Sequence, residues 1–231
     1  METNNYKNLT VGQIVTEDFR AAEIFKKNGI DFCCGGKQNF VEACSEKSIN
    51  IEKLENEIKE LQEEKISQNL NFKEWDLGFL CDYIVNTHHK YMWKTLPELV
   101  FYTQKIAEVH GENHPELIEI ANKVLKVNET LLDHLKREEE FLFPSIKEVL
   151  KTGSREKIEL IKAEIDKMEE EHVNAGGAFD GFNVMTDGYK TPSDACNTYK
   201  VAFKLLEEFE NDLHNHVHLE NNILHIKAKQ L

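Results

Sequence analysis

Residues 124–141 read VLKVNETLLDHLKREEEF, and residues 206–223 read LEEFENDLHNHVHLENNI. In the first stretch Val124, Val127, Leu131, His134, Glu138 and Phe141 follow one another at steps of three or four. In the second, Leu206, Phe209, Leu213, His216, Glu220 and Ile223 do the same. Apolar residues at that spacing share one face of an α-helix, and such a face is expected to pack against a core. Towards its end each stripe is interrupted by a His-x-x-x-Glu pair. A carboxylate buried without compensation is strongly unfavourable, so two matched pairs on core-facing stripes ask for a cation between helices.

A third stripe, Ile158, Ile161, Ile165, Met168, His172, Ala175 and Phe179, carries a lone histidine. By itself His172 reads as a hydrogen-bonded core residue; beside two His–Glu pairs it joins their set. A first helix offers adjacent His88 and His89. Periodicity leaves both open, because Cys81, Val85, His89, Met92 and Leu96 form one stripe and Leu77, Leu80, Ile84, His88 and Tyr91 another. The remaining histidines, His110, His114, His214, His218 and His225, read as solvated, as do the acidic runs 138–140 and 169–171 apart from Glu138.

Four imidazoles and two carboxylates are too many donors for one tetrahedral zinc and suit two metals bridged by the glutamates. Ferritin-like bundles use Glu-x-x-His and more carboxylates. The nitrogen-rich set here fits a hemerythrin-like di-iron centre better, with positions left for an oxo or hydroxo bridge and for a small ligand such as oxygen or nitric oxide.

Three- and four-residue periodicity runs nearly throughout and predicts an all-α protein. Residues 1–66 are expected to form a small helical domain, 67–75 a linker, and 76–231 an antiparallel four-helix bundle. Within the bundle, Pro115 suits a helix start, Gly153 a stop with Ser154 as the next cap, Pro144 a kink, and Thr191 or Ser193 the cap of the last helix. The net charge of −14 argues against nucleic acid and anionic membrane as partners. Five irregularly spaced cysteines and a start without a basic or apolar leader region suggest reduced thiols in a cytoplasmic protein. No apolar run approaches the length of a membrane span. Cys44, Cys81 and Cys196 read as small packing residues.

Residues 29–38, GIDFCCGGKQ, set a vicinal thiol pair at a turn. Adjacent cysteines rarely pair with each other, and the stretch lacks the spacing of a zinc knuckle or a phosphate loop. Exposed before a helix N-terminus, Cys33 and Cys34 are expected to have lowered pKa values and to act as redox or metal-binding thiols. Gly35 and Gly36 would let the backbone bend there.

DFCCGGKQ (31–38), HHKYMWKTLPEL (88–99), HLKREEEFLFP (134–144), MEEEH (168–172) and HVHLENNIL (216–224) together resemble the iron–sulfur cluster repair proteins of the YtfE/ScdA type, across almost the whole chain. The resemblance implies a hemerythrin-like domain behind the N-terminal cysteine domain. It also implies two irons bridged by oxo and carboxylate groups and held by His89, His134, Glu138, His172, His216 and Glu220, which selects His89 over His88. It further implies repair of clusters damaged by nitrosative or oxidative stress through iron donation, with reduction of nitric oxide to nitrous oxide as accompanying chemistry. Damaged iron–sulfur proteins would be the partners, and a homodimer the assembly. The alternative is an oxygen- or nitric-oxide-sensing module. One departure is ILHIKAK (223–229), where the family pattern ends in Phe-Pro.

Overall fold

In the computed structural model, which describes residues 6–63 and 71–231, the described residues are helical with no strands beyond one isolated antiparallel bridge, Thr10 to Asn39. The helices are α1 (Val11–Glu17), α2 (Ala21–Lys27), α3 (Phe40–Glu46), α4 (Ile51–Glu63), α5 (Leu77–Ile84), α6 (Lys90–His110), α7 (Glu116–Arg137), α8 (Phe143–Thr152), α9 (Arg155–Met185), α10 (Asn197–Leu219) and α11 (His225–Ala228). None is long and apolar enough to cross a membrane. The chain divides into two compact units, Cys81–His216 and Met1–Leu80 together with Val217–Leu231. The end of the last helix therefore groups with the N-terminal residues, where the sequence alone assigned all of 76–231 to the bundle.

In the 81–216 unit the stripes read from sequence face inward. Val124 and Leu131 on α7, Ile161, Ile165 and Met168 on α9, and Leu206, Phe209 and Leu213 on α10 are buried. Gly153 closes α8 with φ +66°, a left-handed stop that favours glycine. Ser154 precedes α9 without a side-chain cap bond, and α10 begins only at Asn197, beyond both cap residues expected for it.

Among the described residues three turns are π-helical: Val85–His89, Glu138–Leu142 and Glu220–Leu224. In each, the amide after the segment bonds five residues back: Lys90 to Val85, Phe143 to Glu138, and His225 to Glu220. The extra residue slips the buried stripe by one position. Phe141, expected in the core, is 40% exposed, and Leu142 takes its place at 0%. Along the first helix, Leu80 and Ile84 are buried before the π turn and Met92 and Leu96 after it, with His88 and His89 both buried at its end. Pro144 stands at the start of α8, directly beyond such a turn.

The other unit packs Tyr6, Ile14, Phe25, Phe40, Leu54 and Ile58 into its own core. Of the expected linker, 67–70 lie outside the described residues, while Phe72–Glu74 forms a 3-10 turn. Phe72 is buried there, with its ring 5.1 Å from Phe19 and 4.7 Å from Trp75. Lys227 Nζ donates to the carbonyls of Lys73 (2.6 Å) and Trp75 (2.7 Å), so 72–75 is packed chain.

Candidate metal centre

His89, at the end of one π turn, and Glu138, at the start of another, are both fully buried. His134, His172 and His216 arrive from α7, α9 and α10, each about 1% exposed. His89 Nε2 lies 3.2 Å from His216 Nε2, and His134 Nε2 lies 3.0 Å from His172 Nε2. Glu138 Oε2 stands 3.4 Å from His89 Nε2 and 3.3 Å from His134 Nε2. Two triads result, His89–Glu138–His216 and His134–Glu138–His172, each with its donor atoms within 4.8 Å of one another. Glu138 belongs to both. Glu220 is buried one turn beyond His216 on the same continuous helix.

The outer nitrogens explain why the inner ones are donors. His89 Nδ1 lies 3.0 Å from Glu139 Oε1, and His134 Nδ1 lies 2.7 Å from Glu171 Oε2. An ionised carboxylate only accepts, so each Nδ1 carries the proton and each Nε2 turns its lone pair inward. Glu139 also accepts from Trp93 Nε1 at 2.9 Å. Glu171 also accepts from Arg137, whose other arm reaches Glu164 at 2.8 Å. Hydrogen bonds from the histidines hold both carboxyls below their usual range, against the upward pull of partial burial. Glu139 and Glu171 are thus not the solvated residues expected from sequence, where an acidic run hides which member turns inward.

The Nε2 atoms of each histidine pair stand 3.0–3.2 Å apart, close enough to share a proton or a cation. Two imidazoles bound at about 2.1 Å and at right angles on one ion would place their nitrogens about 3 Å apart. The donor set therefore fits a cation beside each histidine pair, with Glu138 within reach of both. His88 plays another part: its Nδ1 meets Asp212 Oδ1 at 2.9 Å, and its ring stacks on His216 at 5.7 Å. A cavity of about 170 Å³ lined by Val127, Leu131, His134, Glu171 and Ala175 adjoins one histidine pair.

Comparison with known proteins identifies both parts of the chain. Residues 82–228 match the hemerythrin HHE cation binding domain, and residues 7–62 match ScdA_N, a domain of unknown function. The chain is 35% identical over 214 residues to the iron-sulfur cluster repair protein ScdA of Staphylococcus haemolyticus, covering 93% of this chain and 95% of that one. It is 33% identical over 224 residues to the iron-sulfur cluster repair protein YtfE of Yersinia pestis, covering 97% and 98%. This chain belongs to the iron–sulfur cluster repair protein family.

The cysteine pair of this family member differs from the expectation. Cys33 is buried and Cys34 half-buried, with the sulfurs 3.9 Å apart. Asp31 braces the turn, accepting from the Cys33 amide (2.9 Å), the Cys33 thiol (3.2 Å) and the Gly35 amide (2.7 Å). Hydrogen bonding to Cys34, burial and the negative Asp31 push the Cys33 thiol well up rather than down. At neutral pH it stays protonated. Asp31, Cys33 and Cys34 nonetheless present three donor atoms within 4.8 Å of one another. The C-terminal helix end supports this turn, since Asn222 Nδ2 donates to the carbonyls of Phe32 (3.3 Å) and Cys33 (3.1 Å).

Two other histidines read as solvated are buried in the same unit. His218 packs against Phe19 and Phe32, and burial lowers its pKa to about 4. His225 opens α11, fully buried. Cys44 and Cys81 are buried as expected, whereas Cys196 is exposed.

Proposed function

We propose that this protein restores damaged iron–sulfur clusters by supplying iron from a pair of ions held by His89, His134, Glu138, His172, His216 and Glu220. The observation that carries the proposal is two buried histidine pairs that both have Glu138 within reach. The names of the relatives support the destination of the iron. In this reading Glu138 and Glu220 would help the four histidines hold both ions, and the irons would supply ferrous and ferric states. The chain's own residues do the rest. Glu139 and Glu171 hold the imidazole protons outward, and the buried surroundings exclude bulk water, so every donor is in place before an ion arrives. Client proteins carrying nitric-oxide- or peroxide-damaged clusters are the proposed partners.

The cavity beside His134 favours a second activity at the same centre. Its largely apolar lining, with Val127, Leu131 and Ala175, suits a small uncharged gas such as nitric oxide or oxygen, which would be bound there and, for nitric oxide, reduced.

The test mixes iron-loaded protein anaerobically with a [4Fe–4S] enzyme inactivated by nitric oxide. Recovery is expected to be faster than with an equal concentration of free ferrous ion, and absent with the metal-free protein. Recovery no better than with free iron would refute donation.

A further inference from the structure

Cys196 lies outside the metal centre, in the 81–216 unit, and no step above uses it. It occupies the cap position of α10: Lys200 N–H closes the first turn onto its carbonyl at 3.1 Å, and the first-turn amides of Tyr199 and Thr198 favour its thiolate form. Those amides belong to a 23-residue helix, whose N-terminus favours negative charge. Independently, His110 at the end of α6 brings Nε2 to 3.2 Å from Sγ. The imidazole is held by packing, its ring 5.3 Å from that of the buried Tyr199. The sulfur itself is exposed. The other titratable groups of the cluster are engaged with one another. His114 bonds Asp194 at 3.2 Å through Nε2 and Glu116 at 3.2 Å through Nδ1, and the Tyr199 hydroxyl is pushed up to about 12 by burial.

We propose that Cys196 is a modification site, a surface thiolate that exchanges with low-molecular-weight disulfides and carries the resulting mixed disulfide. The thiolate sulfur attacks one sulfur of the disulfide, a new S–S bond forms as the old one breaks, and the departing thiolate takes a proton from solvent. Cys196 is oxidised as the released half is reduced, so no further oxidant is needed. Among the five cysteines it is the one that is exposed: Cys33, Cys44 and Cys81 are buried and Cys34 half-buried.

Hydrogen bonding from His110, with the helix amides, brings the Cys196 thiol down to about 7. Against a free cysteine near 8.5, that gives about twenty-fold more thiolate at pH 6.5, and the weaker nucleophilicity of a more acidic thiol leaves an advantage of about fivefold.

The experiment uses the full-length iron-loaded protein. Iodoacetamide alkylation is followed peptide by peptide across pH 5–9, and a separate incubation uses glutathione disulfide. The expected results are an inflection near 7 for Cys196, about fivefold faster reaction than a free cysteine peptide at pH 6.5, and a glutathionyl adduct on the Cys196 peptide. His110→Gln should move the inflection upward and erase most of that advantage while leaving iron content unchanged. An inflection above 8 in the unmodified chain, a profile indifferent to His110→Gln, or an adduct confined to Cys34 would overturn the proposal.

Discussion

Replacing Glu171 with alanine removes the acceptor that fixes the proton of His134 on Nδ1. The contact is short, 2.7 Å, and charge-assisted, a class worth about 1.5–3 kcal/mol. Glu171 is 38% exposed and shares its charge with Arg137, so solvent screening favours the lower end. About 1.5 kcal/mol corresponds to roughly tenfold in affinity, at the low edge of the 10–100-fold range typical of residues that orient metal-binding histidines. The loss should fall on the ion held by His134 and His172, leaving the one held by His89 and His216 nearly unchanged. Anaerobic ferrous titration against a chromogenic chelator reads both affinities.

Glu171→Gln keeps a neutral acceptor and should lose less. Glu164→Gln contacts Arg137 but not His134, and is expected to leave both affinities alone. The carboxyl pKa of Glu171 is lowered in the folded chain. Its contribution is therefore complete above the ordinary carboxylate range and fades only as pH falls through the depressed value; at pH 6 and pH 8 the alanine defect should be the same. Equal affinities in Glu171→Ala and the parent chain would refute the role assigned to Glu171, as would a matching defect in Glu164→Gln.

Three further outcomes are expected. Gly36→Ala would place a methyl 2.6 Å from Asn222 Oδ1 and 2.7 Å from the Phe32 carbonyl; overpacking of this kind costs about 1–3 kcal/mol, which thermal unfolding should register, with only partial rescue by Asn222→Ala because the carbonyl remains. Changing Cys33 and Cys34 together to serine should leave iron content intact yet impair cluster recovery in cells, and normal recovery would favour a sensing role for the bundle. Chelator capture should be faster from the reduced than from the oxidised protein, since ferrous ions hold carboxylates less strongly than ferric ions; equal rates would remove redox-controlled release.

Much of the fold could be read in the sequence because helical periodicity survives wherever the helices are regular. His134, His172 and His216 lay on the expected stripes for that reason. The π turns were not legible. Nothing in VNTHH, EEEFL or ENNIL announces an extra residue per turn, yet each segment contains one of the proposed ligands and shifts the buried face around it. That shift misplaced Phe141 and made His88 and His89 indistinguishable by spacing. Glu139 and Glu171 were missed because their role depends on which histidine faces them, a tertiary fact. His218 and Cys33 were misjudged because the C-terminal helix end packs in one unit with a turn nearly two hundred residues earlier, beyond the reach of local pattern.

Metal analysis of anaerobically purified protein, run beside Glu138→Leu, tests the shared-carboxylate centre most directly. Two irons per chain are expected in the parent protein and essentially none in the variant, because Glu138 offers a carboxylate to both donor groups. A single tightly held zinc in the parent chain, or one iron retained by Glu138→Leu, would contradict the account.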